Sequence, residues 1–317
     1  MAAPTNTFLT GAAVGNRESL HDMISMLKVD EFPFQSAIGS GSATATYEEW
    51  QTDSLGTGSA TNYNLEGEDS TAAAVTATTR VGNRTQIFKK VVRVSRTQNE
   101  VNKAGRTNEL AYQTAKQAKQ IKMDLEKTLT GTNQASNAES GSTPRKMGSV
   151  EAIIATNRGA GSGGSAGGFS SGNVAAVTDG TQRTYTETLL KAQIAAAWSS
   201  GGTPTLILMG PTHKQASSGF TGIATQFQQS NNKPATSVAA IDVYVSDFGK
   251  LSFVPSRYMR NRTVIGIDPD YWELLWLTKW KREDLAKTGD SDLKHIVGEV
   301  TLKYTNEAAN FALADLT

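Results

Sequence analysis

The segment Gly159-Ala160-Gly161-Ser162-Gly163-Gly164 has the G-x-G-x-x-G spacing that lets a backbone close around a pyrophosphate. Such a cradle needs a helix N-terminus directly behind the glycines, to supply aligned N–H groups and the positive end of a dipole. The chain continues instead with Ser165-Ala166-Gly167-Gly168-Phe169-Ser170-Ser171-Gly172, which predicts a loop. Asp179 lies at about the distance expected of a ribose-binding acid, yet within Thr178-Asp179-Gly180 it is more simply a turn residue. A dinucleotide-dependent enzyme is therefore a poor reading.

Other chemistries fail on residue type or spacing. His21, His213 and His295 are scattered, with no pair at the helical zinc spacing. Asp268-Pro269-Asp270 and Glu66-Gly67-Glu68-Asp69 could offer oxygens to a hard cation, but neither has the periodicity of a calcium loop. No cysteine is present, which removes thiolate nucleophiles, thiolate ligands and disulfides, and fits an intracellular assembly pathway. No G-x-S-x-G elbow occurs. Asn83-Arg84-Thr85 and Asn261-Arg262-Thr263 match the glycosylation pattern without a secretory signal to give it meaning. No catalytic residue, metal ligand or cofactor is expected.

The chain of 317 residues can hold two lobes, and no linker rich in proline or charge divides it. A net charge of +1 gives no long-range field toward nucleic acid or a membrane, so any DNA contact is expected to be local and weak. No apolar run approaches the roughly 20 residues of a membrane helix, and the expectation is a soluble protein made in the cytoplasm.

Residues Gly39 to Thr79 cannot fold alone. Their only sizeable apolar side chains are Tyr47, Trp50, Leu55, Tyr63, Leu65 and Val75, too few to offset the roughly 1 to 2 kcal/mol per residue lost on ordering a backbone. Ala43, Ala45 and Tyr47 alternate with Thr44 and Thr46, and Thr71 to Ser95 is rich in β-branched residues, so two long strands with a polar tip are expected. Such an arm needs a surface to lie on. Between Val29 and Phe88 eight acids meet two bases, whereas ten bases meet four acids from Lys89 to Lys127. Docking of the acidic arm onto the basic shaft of a neighbouring copy is the expected use of that asymmetry. The candidate contacts are Tyr47, Trp50, Glu66, Glu68 and Asp69 on the arm, and Lys89, Lys90, Arg93, Arg96, Lys116 and Lys119 on the shaft.

Asn16 can cap a short helix carrying Leu20, Met23, Ile24 and Leu27, stopped by Pro33. Thr97 with Glu100 fits a capping box, Gly105 is a break, and Thr107 can cap a helix to Leu129 with an alanine-rich contact face along Ala104, Ala111, Ala115, Ala118, Leu125 and Leu129, with Leu110 and Ile121 nearby. Val150 to Thr156 is strand-like. A second lobe is expected from a helix at Thr186 to Trp198 and strands at Thr205 to Met209, 241–245 and Leu251 to Val254. Val264 to Ile267, Tyr271 to Leu277 and 300–304 are further strands. The fold class is α+β.

Glu31-Phe32-Pro33-Phe34-Gln35-Ser36-Ala37-Ile38-Gly39, Glu49-Trp50-Gln51-Thr52-Asp53-Ser54-Leu55, Asn83-Arg84-Thr85-Gln86-Ile87-Phe88-Lys89-Lys90, Asp124-Leu125-Glu126-Lys127 and Leu285-Ala286-Lys287-Thr288-Gly289-Asp290-Ser291 follow one another in an order that resembles major capsid proteins of the tailed bacteriophages, in the group represented by phage SU10. The resemblance implies the HK97 capsid fold, with an N-arm at 1–38, an extended β-hairpin loop at 39–93 and a peripheral domain with its spine helix at 94–149. It further implies an axial domain at 150–254 and a return to the peripheral domain at 255–317. Pentamers and hexamers of the chain would build an icosahedral virion shell, assembled in the bacterial host cytoplasm, around double-stranded DNA held by weak non-specific contact. A separate scaffolding protein, a portal and a decoration protein are the further partners expected, and no membrane. Val29 to Phe88 contains no lysine, so no Lys-to-Asn crosslink of the kind some relatives form from this loop is expected. The alternatives are an encapsulin-type nanocompartment shell, a tail or fibre protein, and the dinucleotide-binding enzyme set aside above.

Overall fold

The computed structural model describes residues 31–220 and 242–317, apart from 57, 70, 71, 73, 74, 104 and 288. The helix expected after Asn16 lies outside the described residues. Two sheets organise the rest. The first has four strands: β1 (Gly39–Ser42), β4 (Gln86–Ser95), β12 (Trp272–Asp284) and β13 (Ser291–Tyr304), in the order β1-β12-β13-β4. β12 and β13 form a long antiparallel hairpin from Trp272 opposite Tyr304 to Asp284 opposite Lys294, with bulges near Thr278.

Helix α3 (Glu109–Thr130) covers one face of this sheet. Its N-cap is Asn108, whose side chain accepts from Ala111 N at 2.9 Å, one position beyond the expected Thr107. The shorter helix before it, α2 (Arg96–Glu100), is capped by Ser95 accepting from Gln98 N, not by the Thr97–Glu100 box. The expected contact face is corrected at its alanine half only, since Leu125, Leu129 and the partly buried Ala118 do pack against the core. Leu110, Ile121, Leu125 and Leu129 are the buried side of α3, and Ala111 and Ala115 point to solvent. The larger side chains remove more apolar area from water, so they decide which way the helix turns. α1 (Pro33–Ala37) lies against α3, with Phe34 fully buried and set edge-on to Trp272 at 6.0 Å.

The second sheet runs β5 (Arg158–Gly159), β14 (Phe311–Ala314), β11 (Thr263–Ile267), β8 (Leu206–Met209), β10 (Gly249–Pro255) and β9 (Val243–Ser246) in spatial order. Helices α5 (Glu187–Ser199), capped by Thr186, and α6 (Pro211–Ser217) complete it. β11 and β14 lie in the interior of this sheet, joining residues 263–267 and 311–314 to strands from earlier in the chain. Their near-continuous apolar runs, both fully buried, fit an interior position better than the edge of the other sheet. At Gly266 a Cβ would come within 2.1 Å of the Phe311 ring, and that close approach locks β14 to β11. Val150 to Thr156 is not a strand: Val150–Ile153 is one helical turn, α4.

The expected hairpin is shorter than residues 39–93. Only β2 (Tyr47–Thr52) and β3 (Thr79–Arg84) pair with each other, since residues 39–42 and 86–95 belong to the four-stranded sheet. The remaining small hairpin, β6 (Phe169–Ser170) with β7 (Asn173–Val174), turns through Ser171 and Gly172, both at positive φ.

Candidate assembly interface

The glycine segment does bind an anion, and the anion belongs to the chain itself. The Asp315 carboxylate, fully buried, accepts from Gly161 N at 3.0 Å and receives Arg262 Nη2 at 2.6 Å. Burial alone would raise this carboxyl; the N–H of Gly161, Arg262 and the N–H of Gly180 outweigh it and hold it below the ordinary carboxylate range. A Cβ at Gly161 would lie 2.0 Å from Thr181 O, so the glycine serves close backbone packing. Asp179 is neither a ribose ligand nor a simple turn residue. It pairs with Arg260 at 2.5 Å and Arg262 at 3.4 Å. Arg260 also forks onto the buried Glu151, at 3.0 and 2.9 Å, which takes Arg158 as well at 3.1 Å. These ions tie α4 and the glycine segment to the six-stranded sheet. Among the described residues no group of three or more His, Cys, Asp or Glu could hold a metal.

Glu126 is a second buried carboxylate. It accepts from Phe34 N at 2.9 Å and from Gln35 N and Nε2 at 3.1 and 2.9 Å, fastening the start of α1 to α3. Burial raises its carboxyl above the usual range, and these three donors offset only part of that rise.

The arm divides into a fixed base and an uncovered tip. At the base, Trp50 meets Tyr304 edge-on at 5.2 Å, and the Arg84 guanidinium lies 4.5 Å over the Tyr47 ring. Burial, then the neighbouring Glu49, pushes the Tyr47 hydroxyl up. Asn83 is fully buried, donating to Leu302 O and accepting from Gly148 N, both at 2.9 Å. Tyr47 and Trp50 thus contact their own chain. Beyond Thr52 and Thr79 no strand forms among the described residues, and Leu55, Tyr63, Leu65 and Val75 stand 79% or more exposed. Glu66, Glu68 and Asp69 are exposed there too, with Glu68 accepting from Leu65 N at 3.0 Å around Gly67.

The basic shaft is not one surface. Lys90 pairs with Asp124 at 2.7 Å and Arg96 with Asp290 at 2.7 Å, so two of the expected docking cations have partners within the chain. Along β4, Phe88 packs on Trp280 while Val92 and Val94 cluster with Leu110 of α3. By strand alternation Ile87, Lys89, Val91 and Arg93 point from the other face of the sheet, where Ile87 and Val91 are about half exposed. Lys116 and Lys119 sit on the exposed side of α3. Sequence reasoning missed Ile87 and Val91 as surface residues. Its signal was present: in Ile87-Phe88-Lys89-Lys90-Val91-Val92-Arg93-Val94 apolar residues occupy both faces of one strand.

The arm thus has a base packed on its own body and an exposed apolar and acidic tip, and one face of the four-stranded sheet carries apolar and basic side chains. The profile of the SU10 major capsid protein family matches residues 3–317. The chain belongs to that family. It is 27% identical over 347 residues to the major capsid protein of Escherichia phage Phieco32, covering 99% of this chain and 97% of that one. Its fold is similar to the Cyanophage A-1(L) capsid, with a TM-score of 0.67 at 11% identity over 97% and 98% of the two chains. It is also similar to the capsid of the native GTA particle, with a TM-score of 0.63 at 11% identity over 97% of each. The architecture is the HK97-like capsid fold, and the protein is a subunit of a phage capsid shell.

Proposed function

We propose that the chain assembles as pentamers and hexamers into an icosahedral shell around double-stranded DNA, and that it catalyses no reaction. The observation that carries this reading is the bare tip of the arm. Leu55, Tyr63, Leu65 and Val75 stand 79% or more exposed, and arms that reach over neighbours give a closed shell many repeated contacts, each weak alone. The tip docks on the open face of the next copy's four-stranded sheet, where Ile87 and Val91 meet its apolar side chains and Lys89 and Arg93 meet Glu66, Glu68 and Asp69. Tyr47 and Trp50 hold the base from which it reaches. The four-stranded sheet with α3 corresponds to the peripheral domain and the six-stranded sheet to the axial domain near the capsomer centres.

Assembly takes place in the bacterial host cytoplasm, with a separate scaffolding protein, a portal and a decoration protein as further partners. Balanced charge lets DNA lie against the wall without being held tightly. Cryo-electron microscopy of particles formed by the purified chain tests the proposal. Closed shells with fivefold and sixfold capsomers and arms crossing between copies are expected; monomers, or rings and trimers that never close, would overturn it.

A further inference from the structure

Resting on that shell reading, we infer that copies meet around each capsomer axis along the β9 edge of the six-stranded sheet, the Trp198 and Phe248 side of one copy against the Val243 and Val245 side of the next. Outside the arm tip and the open face of β4, five large apolar side chains are exposed among the described residues, and these are four of them. The Trp198 and Phe248 rings lie 5.1 Å apart and are still 53% and 38% exposed, while Val243 and Val245 are 50% and 61% exposed. Gathered at one strand edge, they form a patch and not the single scattered residues of an ordinary surface.

The two pairs lie back to back across the sheet. Tyr244 and Leu251, opposite one another in the β9–β10 ladder, are buried in the core beneath α5, and Tyr244 Oη donates to Glu187 of that helix at 3.3 Å. Trp198 is also on α5, so it and Phe248 belong to the helix side. Strand alternation sends Val243 and Val245 to the opposite face, where their ladder partners Ser252 and Lys250 are exposed as well. Further into the sheet that face is covered, with Leu208, Ile265 and Ile267 buried in the other core, and its margin at β9 and β10 is left bare. Charge divides in the same way. Asp247 is exposed on the helix side, where its charge adds to the hydrogen bond and charge of Glu187 in pushing the Lys191 ammonium up, whereas Lys250 stands beside Val245. An aromatic and acidic surface thus complements an aliphatic and basic one, and neither complements itself. Unlike patches on opposite sides of one body make a head-to-tail contact that a rotation closes into a ring, whereas a self-complementary patch makes a twofold pair.

The natural chain has no cysteine, so crosslinking can read which side meets which. Ser199→Cys places a thiol next to Trp198, and Ser252→Cys places one opposite Val243; both positions are exposed and the exchange changes one atom. Particles assembled from each variant alone, and from an equal mixture of the two, are treated with a short bismaleimide and run on a denaturing gel. Dimers from the mixture and none from either variant alone are expected, and a chain carrying both substitutions should give a ladder that ends at the pentamer and the hexamer. Dimers from one variant alone would show like meeting like and would overturn the inference. Monomers throughout, in particles that electron microscopy shows to be closed, would overturn it too and leave the shell reading standing. Independently, Trp198→Ser should keep the circular dichroism and melting of the subunit and raise the subunit concentration needed for shells about tenfold, as the loss of a central tryptophan does. Wild-type assembly by that variant combined with Val245→Ser would count against the contact. A wild-type chain that never forms shells removes the reading beneath the inference, and the inference with it.

Discussion

Asp315 fills the anion position that the spacing of Gly159 to Gly164 offers. Because its folded carboxyl is held below its ordinary value, its contribution is complete above about pH 4 and fades as the pH falls through the lower folded value. Asp315→Asn retains the left-handed backbone at this position, φ 58°, which asparagine tolerates. It should lose about 1.5–3 kcal/mol at neutral pH, as expected for hydrogen bonds to a charged group, and should flatten the acid limb of stability. Urea unfolding across acid and neutral pH measures both effects. Glu126→Ala should leave the N–H groups of Phe34 and Gln35 unpaired at about 1–3 kcal/mol, and hydrogen exchange at those amides should speed up before the rest of the molecule changes. The glycines were legible in the sequence and their ligand was not, since the carboxylate lies 154 residues further along the chain.

At the level of elements, local signals located helices well and partner choice poorly. Gly105, the Asn108 cap region and Gly131 bracket α3 as the sequence suggests, and Leu125 and Leu129 lie on its buried side as expected, yet Ala111 and Ala115 do not, because small residues mark a close approach only if larger ones do not compete. β12 and β13 run further than their apolar alternation. Their outer halves are charged and are held by cross-strand pairs such as Lys294 with Asp284 at 3.0 Å and His295 with Glu283 at 3.1 Å, which depend on a register no single strand reveals. The arm's base and tip were likewise indistinguishable beforehand, since Trp50 is fixed by Tyr304 from far along the chain. Charge reversal at the tip, Glu66→Lys, Glu68→Lys and Asp69→Lys, should leave the circular dichroism spectrum and melting of the subunit unchanged and reduce assembly, read by sedimentation. Wild-type sedimentation of that variant would separate the tip's acids from docking.

For the molecule as a whole, shell stability is expected to come from many noncovalent contacts. No lysine lies between Val29 and Phe88 to supply an amide bond from the arm, so boiled particles should run as monomers on a denaturing gel, and a ladder of higher species would contradict this. The α+β class and the family resemblance were readable over most of the chain; the division into sheets was not, because β11 and β14 return to a sheet begun far upstream. That return sets a schedule for biosynthesis. β14 is inserted between β5 and β11, so a ribosome must deliver residue 314 before the sheet can close, and a nascent chain halted earlier presents an open slot where Phe311 belongs. Polymerisation is therefore expected to wait until translation has passed that point, and chains terminated before Phe311 should be missing from purified particles.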